Sequence, residues 1–313
     1  MSLSPSETPS SASPLSRRQL RGTFLITLVA LALYLFMRWL PIGSNLNHMD
    51  FRVEEKGAIE FCDPNSPQFI PVISAKSPVT MTLRSDTPPT RGRPVDFTLT
   101  MRTASGKPIG PADLLVAHTR KLHLMVVDPT LNDYQHLHPE PGKSPGEWVF
   151  RMTPERAGTY RVFADFTPAA TARGLYAAVD FEVPGEVARV VRSMSTMNQA
   201  AGFNFTLETP PLLQAGRAAD LKFRIESPGV TKRPVPLRPV MDAYAHLVAF
   251  DEDRTGFAHL HPNETDLSVP PDSLRPELTF KVTIPRAGRY VIWSQVNLGG
   301  SDVFVPFWVE VLP

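Results

Sequence analysis

KLHLMVVDPTLNDYQHLHP, residues 121–139, is an apolar run, six mostly polar, turn-forming residues and a second run closed by His-Leu-His-Pro. Residues 245–262, AHLVAFDEDRTGFAHLHP, write the same device again. His123, His136 and His138 are spaced 13 and then 2 residues apart, and so are His246, His259 and His261. Six of the 8 histidines therefore belong to two copies of one pattern.

Outward from these hairpins the apolar residues alternate, the period of a half-buried strand. VTMTLR, VDFTLTMRT, KLHLMVVD, YQHLH, EWVFRMT, TYRVFADF and YAAVDFEV are the candidate strands of the first copy. FNFTLET, ADLKFRIES, YAHLVAFD, GFAHLHP, ELTFKVT, RYVIWSQV and DVFVPFWVEV repeat them in the same order. The correspondence extends to ERAGTYRVF and PRAGRYVIW, where Tyr160 and Tyr290 open a late strand in the manner of a tyrosine corner. An internal duplication of about 110 residues with about seven strands per copy predicts an all-β fold of two tandem immunoglobulin-like β-sandwiches. The 33 prolines, clustered between these segments, agree with many short strands and turns.

The sandwiches follow one N-terminal transmembrane helix. Residues 22–42 are without a charge except Arg38, which snorkels from the far end beside Trp39, and the length suffices to cross a bilayer. A cleaved signal sequence also starts basic and turns apolar, but here no small-residue cleavage site follows and Phe36, Trp39 and Leu40 stand in its place. Arg17, Arg18 and Arg21 put the preceding tail in the cytoplasm. The expected order is a disordered cytoplasmic tail (1–21), the anchor (22–42), a membrane-proximal linker packing on the first domain (43–77), repeat 1 (78–184), an interdomain linker with a short helix (185–202) and repeat 2 (203–313). The expected location is the bacterial inner membrane, single-pass, with both repeats periplasmic.

Composition narrows the function classes. Net charge is +1 with no basic, aromatic-interleaved cluster, so no nucleic-acid partner is expected. A single cysteine, Cys62, excludes an intrachain disulfide and CxxC chemistry. Neither a nucleophile elbow nor a phosphate loop occurs, and the chain is not expected to be an enzyme.

The histidine pattern is where chemistry concentrates. Residues two apart on a strand share a face, so His136 and His138 point the same way, as do His259 and His261. With residues 128–133 as the loop, Val127 pairs with Tyr134; His123 then falls opposite His138 and Met125 opposite His136. With residues 251–256 as the second loop, His246 falls opposite His261 and Val248 opposite His259. Three imidazoles on two adjacent strands, with Cβ atoms about 4.5–5.5 Å apart, suit one ion at about 2.0–2.1 Å from each nitrogen. The expected metal ligands are His123, His136, His138, His246, His259 and His261, with Met125 adding a thioether that favours copper(I). Asp128 and Glu140 are further oxygen donors, or simply solvated hairpin ends. His118 lies an odd number of residues before His123 and is expected to face away, and His48 to be solvated. Two other readings use the same residues: a histidine ladder that only stiffens the hairpins, and a pH-responsive interface. Whether the copies bind separate ions or share one is open at this level.

HLMVVD, HLHPE and RAGTYRVF, in an extracytoplasmic seven-strand unit, resemble the YtkA-like and CopC-like β-sandwich domains of bacterial envelope proteins. The resemblance covers each repeat and implies metal handling, copper ahead of zinc as cofactor, with a metal ion, the membrane and an envelope protein as partners. CopC-type copper(II) sites use a free N-terminal amine, which the expected topology puts on the other side of the membrane, so that site does not carry over. The alternative is an envelope interaction module without metal.

Overall fold

The computed structural model describes residues 16–39, 46–51, 67–189 and 194–313. Cys62 lies outside them. Two units are present, residues 1–43 and 44–313.

The first unit carries helix α1, Arg17–Trp39. Its start is a capping box: Gln19 N–H donates to Ser16 Oγ at 3.3 Å, and Ser16 N–H donates to Gln19 Oε1 at 2.8 Å. The helix thus starts five residues before the expected anchor and takes in Arg17–Arg21. Arg17–Phe36 is apolar and long enough to cross a membrane.

The second unit is all β. Repeat 1 comprises β1 (Val79–Ser85), β2 (Val95–Thr103), β3 (Leu122–Val127), β4 (Tyr134–Leu137), β5 (Glu140–Pro141), β6 (Glu147–Met152), β7 (Gly158–Phe166) and β8 (Leu175–Val183). Sheet β1-β2-β6-β5 faces sheet β4-β3-β7-β8 across a core that includes Leu99, Trp148, Leu124, Val126 and Tyr160. Repeat 2 comprises β9 (Met197–Ala200), β10 (Phe203–Glu208), β11 (Ala218–Glu226), β12 (Leu237–Arg238), β13 (His246–Asp251), β14 (Phe257–Leu260), β15 (Glu277–Thr283), β16 (Gly288–Leu298) and β17 (Ser301–Val311). Its sheets are β15-β11-β10-β9 and β12-β16-β13-β14 with β17 on β16. All fourteen expected strands form. The tyrosine corners form too: Arg156 N–H donates to Tyr160 Oη at 2.9 Å, and Tyr290 O–H donates to Arg286 O at 3.0 Å.

Two expectations are corrected. No helix occurs in the described part of residues 185–202; Met197–Ala200 instead pairs with Phe203–Thr206 as an edge strand. The membrane-proximal segment does not belong to repeat 1 alone. Leu46 and Phe51 join the repeat 1 core, but Phe69 enters that of repeat 2 and Ile70 bridges to Phe257.

A third apolar cluster lies between the repeats. On β3 the even positions Leu122, Leu124 and Val126 fill the repeat 1 core, while Met125 and Val127 point the other way. On β13 Leu247 and Ala249 fill the repeat 2 core, while Val248 and Phe250 point outward. These outer residues meet, joined by Tyr134, Phe163, Phe257 and Trp293. A strand covered on both faces has no polar side to write, which is why LHLMVV and HLVAF lack alternation. Each fully buried aromatic here contributes on the order of 2–3 kcal/mol of transfer free energy.

Candidate metal centre

The hairpin registers are those the loops dictate. Val127 pairs with Tyr134 and Met125 with His136; Phe250 pairs with Phe257 and Val248 with His259. The loops are closed by one aspartate each. Asp128 accepts from the backbone N–H groups of Thr130, Asn132 and Asp133 at 2.9, 2.8 and 2.9 Å. Asp251 accepts from Thr255 N–H at 2.7 Å and Gly256 N–H at 3.2 Å. Asp128 is therefore buried and occupied within its loop, neither solvated nor offered as an oxygen donor. Glu140 stays exposed, 3.8 Å from Arg120.

The outer faces of β3–β4 and β13–β14 carry the apolar cluster at one end and the histidines at the other. His123, His136 and His138 present one nitrogen each within 4.8 Å of one another, and His246, His259 and His261 do the same. The triads are brought face to face: the His136 and His259 rings lie 5.2 Å apart, and His123 and His259 5.6 Å. Met125 sits on the same face, in the apolar cluster. His48 is exposed, in the short turn His48–Phe51.

His118 is one residue that sequence reasoning missed. It does not face away: its ring stacks on His261 with centroids 3.6 Å apart. Ala117 and Arg120 bond to each other across a two-residue turn in which His118 and Thr119 both have positive φ, 47° and 69°. The turn reverses the chain, so counting parity along a strand gives the wrong side. Val240–Ala243 repeats this turn with Met241 and Asp242 at φ 49° and 60°.

Hydrogen bonds fix which nitrogen faces inward in four of the six rings. His123 Nε2–H donates to Ala117 O at 3.0 Å, and His246 Nε2–H donates to Val240 O at 2.9 Å. A carbonyl only accepts, so Nδ1 of both rings is a lone pair. His136 Nδ1–H donates to Gln295 Oε1 at 2.8 Å; Gln295 Nε2 donates to Asp302 Oδ2 at 3.0 Å and is thereby held amide-oxygen inward. His259 Nδ1–H donates to Asp165 Oδ2 at 3.1 Å. The two latter contacts cross between the repeats, and Asp165 and Gln295 occupy equivalent positions, five residues after Tyr160 and Tyr290.

The consequence is chemical. His123 Nδ1 and His136 Nε2, both acceptors, stand 3.2 Å apart, and His138 Nε2 is 3.2 Å from His123 Nδ1. Opposed lone pairs repel unless a cation sits between them. Nitrogens about 2.0–2.1 Å from a tetrahedral ion would be about 3.3 Å apart, so the spacing fits. In the second triad His246 Nδ1, His259 Nε2 and His261 Nε2 are buried and make no hydrogen bond among the described residues. Protonation is a poor remedy. Burial, the largest influence, pulls His123 to about 4, His246 to about 4 and His138 to about 3. Burial first, then neighbouring imidazoles, holds His136, His259 and His261 well below the ordinary value. Burial also raises the Asp165 carboxyl to about 7, although its side chain keeps 22% of its surface. His138, half-buried, also borders a cleft of about 520 Å³ with Asp86, Asp96, Glu140 and Arg151.

Fold and site together define a tandem β-sandwich protein whose two histidine triads can hold metal. The chain belongs to the family described as Domain of unknown function (DUF8832), matched twice, over residues 74–185 and 198–312. No curated protein matches it. Among solved structures it is similar to FdeC, an Escherichia coli adhesin, at 17% identity and TM-score 0.24, over 76% of this chain and 67% of that one. It is also similar to native Escherichia coli alpha-2-macroglobulin, at 13% identity and TM-score 0.24, covering 75% of this chain and 17% of that one. The trypsin-activated form gives 14% identity, TM-score 0.24, 75% and 18%. Likeness at this level is silent on function.

Proposed function

We propose that this chain is a membrane-anchored, extracytoplasmic protein of the bacterial envelope that binds or delivers a transition metal, copper ahead of zinc, and has no catalytic role. The observation that carries the reading is the pair of opposed acceptors, His123 Nδ1 and His136 Nε2, at 3.2 Å. A ladder that merely stiffened the hairpins would alternate donors with acceptors, whereas here the outer hydrogen bonds force acceptor toward acceptor. All-imidazole donors suit copper and zinc, and copper leads by the general order of divalent affinities. Resemblance to YtkA-like and CopC-like domains supports the same class. Helix α1 supports anchoring, with Arg17, Arg18 and Arg21 on its cytoplasmic side.

The test is metal analysis of the full chain in detergent after growth with and without added copper, with thermal melting on adding copper or zinc to the stripped protein. Co-purified copper and a raised melting temperature are expected. Neither metal bound, with no shift in melting, would leave the histidines as structural elements and return the chain to the envelope interaction modules.

A further inference from the structure

The two triads share a plan but not a partner. In each, the first histidine of HxH turns its Nδ1–H away from the centre toward a side chain of the opposite repeat. For His136 that side chain is the neutral amide of Gln295, 2.8 Å away; for His259 it is the carboxyl of Asp165, 3.1 Å away. A carboxylate behind a ligating imidazole makes it a stronger donor, and such groups change metal affinity by about 10–100-fold.

The number of inward nitrogens decides how many ions the centre takes. A single ion held by one triad would leave the opposed acceptors of the other, His123 Nδ1 and His136 Nε2 or His246 Nδ1 and His259 Nε2, without a partner, which is costly in a dry site. Two ions serve both triads. Cross-triad ring distances of 5.2 and 5.6 Å place the two ligand sets against one another with no element between. Two cations so placed repel, and the carboxylate of Asp165 stands behind only one of them.

Resting on the metal-binding reading above, we propose that the triads form one two-ion centre with unequal halves, in which His246, His259 and His261, backed by Asp165, hold their ion more tightly than His123, His136 and His138, backed by Gln295. Each half is oriented by the other repeat, so the centre exists only when both are present and docked.

Copper(II) alone is the probe, added to the stripped full chain in detergent. Calorimetry should give two ions per chain, and the two-ion form should show the broadened electron paramagnetic resonance of neighbouring copper ions. Half-site variants remove the repulsion and isolate the intrinsic affinities. His138→Ala should retain the tight half and His261→Ala the weak one, differing by about 10–100-fold. Adding Asp165→Asn to His138→Ala should bring its affinity down to that of His261→Ala, and adding Gln295→Glu to His261→Ala should raise it. Circular dichroism checks that each variant is folded, and the reciprocal pair guards against one that is not. Equal half-site affinities, a single ion spanning both triads, or the resonance of isolated ions would overturn the inference while leaving metal binding in place. No bound copper in the unaltered chain would overturn both.

Discussion

Acidifying the metal-free protein from pH 7.5 to 5.5 should destabilise it, and the size of the loss follows from the buried imidazoles. A histidine held at about 4 in the folded chain, against about 6.5 unfolded, stays neutral while the unfolded chain takes up protons. Its contribution is therefore intact above 6.5 and is lost as the pH falls toward 4. At pH 5.5 the proton excess of the unfolded state is worth about 1.4 kcal/mol per histidine. His123, His138 and His246 together reach about 4 kcal/mol as an upper bound, since they interact. Asp165 acts in the opposite sense. Its carboxyl is raised to about 7, so the folded chain gains protons there and recovers about 2 kcal/mol at pH 5.5. His136, His259 and His261, held well below the ordinary value by burial, add to the loss. The net expectation is a loss on the order of 2 kcal/mol, a large part of the 5–15 kcal/mol typical of a folded domain. Urea denaturation of the full chain in detergent, followed by tryptophan fluorescence at both pH values, measures it. The ion-paired carboxylates Asp50, Asp96 and Glu277, all lowered by their hydrogen bonds, titrate below this window and do not confuse the result. Stability that is flat or rises on going to pH 5.5 would refute the buried, neutral histidine cluster.

Other expectations test the frame around the centre. Gly256→Ala should cost about 3 kcal/mol, because a Cβ there would stand 1.9 Å from Ile70 O and force apart the Ile70–Phe257 bridge with the burial of Ile70 and Val72; thermal melting reads it. Thr119→Gly should stabilise the chain by about 0.5–1 kcal/mol, since a β-branched residue at φ 69° is strained and glycine is not, less the entropy glycine loses on folding; an unchanged urea midpoint would contradict the strained turn. Replacing Asp86 and Glu140 by their amides should slow copper association several-fold at low salt, with the number of ions bound unchanged, if the cleft that ends at His138 is the access route; stopped-flow at two ionic strengths decides it.

Much of this was legible in the residues. The two strand registers followed from six-residue loops, and the loops follow from Asp128 and Asp251, whose carboxylates gather the turn amides. Once Val127 pairs with Tyr134, three histidines must share a face. What could not be read was which surface that face meets. The signal was nevertheless there in LHLMVV and HLVAF, strands without a polar side, which in an antiparallel sheet mean cover on both faces. His118 escaped for a different reason. Its turn has the geometry of a tight hairpin without the glycine or asparagine that announces one. Asp165 and Gln295 escaped because nothing local marks a residue that acts across an interface; only their equivalent places after Tyr160 and Tyr290 tie them together.

The duplication has a physical reason. A lone repeat would expose Met125, Val127, Tyr134 and Phe163 on one sheet, a contiguous apolar face of the kind that soluble domains cover. Covering it with a second copy brings the histidine end of one hairpin against the histidine end of the other, since both hairpins carry them at the same place on the strand. His136 then has its tautomer set by Gln295 and His259 by Asp165, residues no repeat can supply to itself in this arrangement. Arg161 and Arg254 clamp the far end, each donating to a carbonyl of the opposite repeat at 2.7 Å. Docking and ligand orientation are therefore one event. Whatever loosens the interface, such as Phe163→Ala in the apolar cluster, should weaken both halves of the centre together, although Phe163 is no ligand. A variant that melted earlier yet bound copper with unchanged affinity would separate the two and show each triad to be self-sufficient.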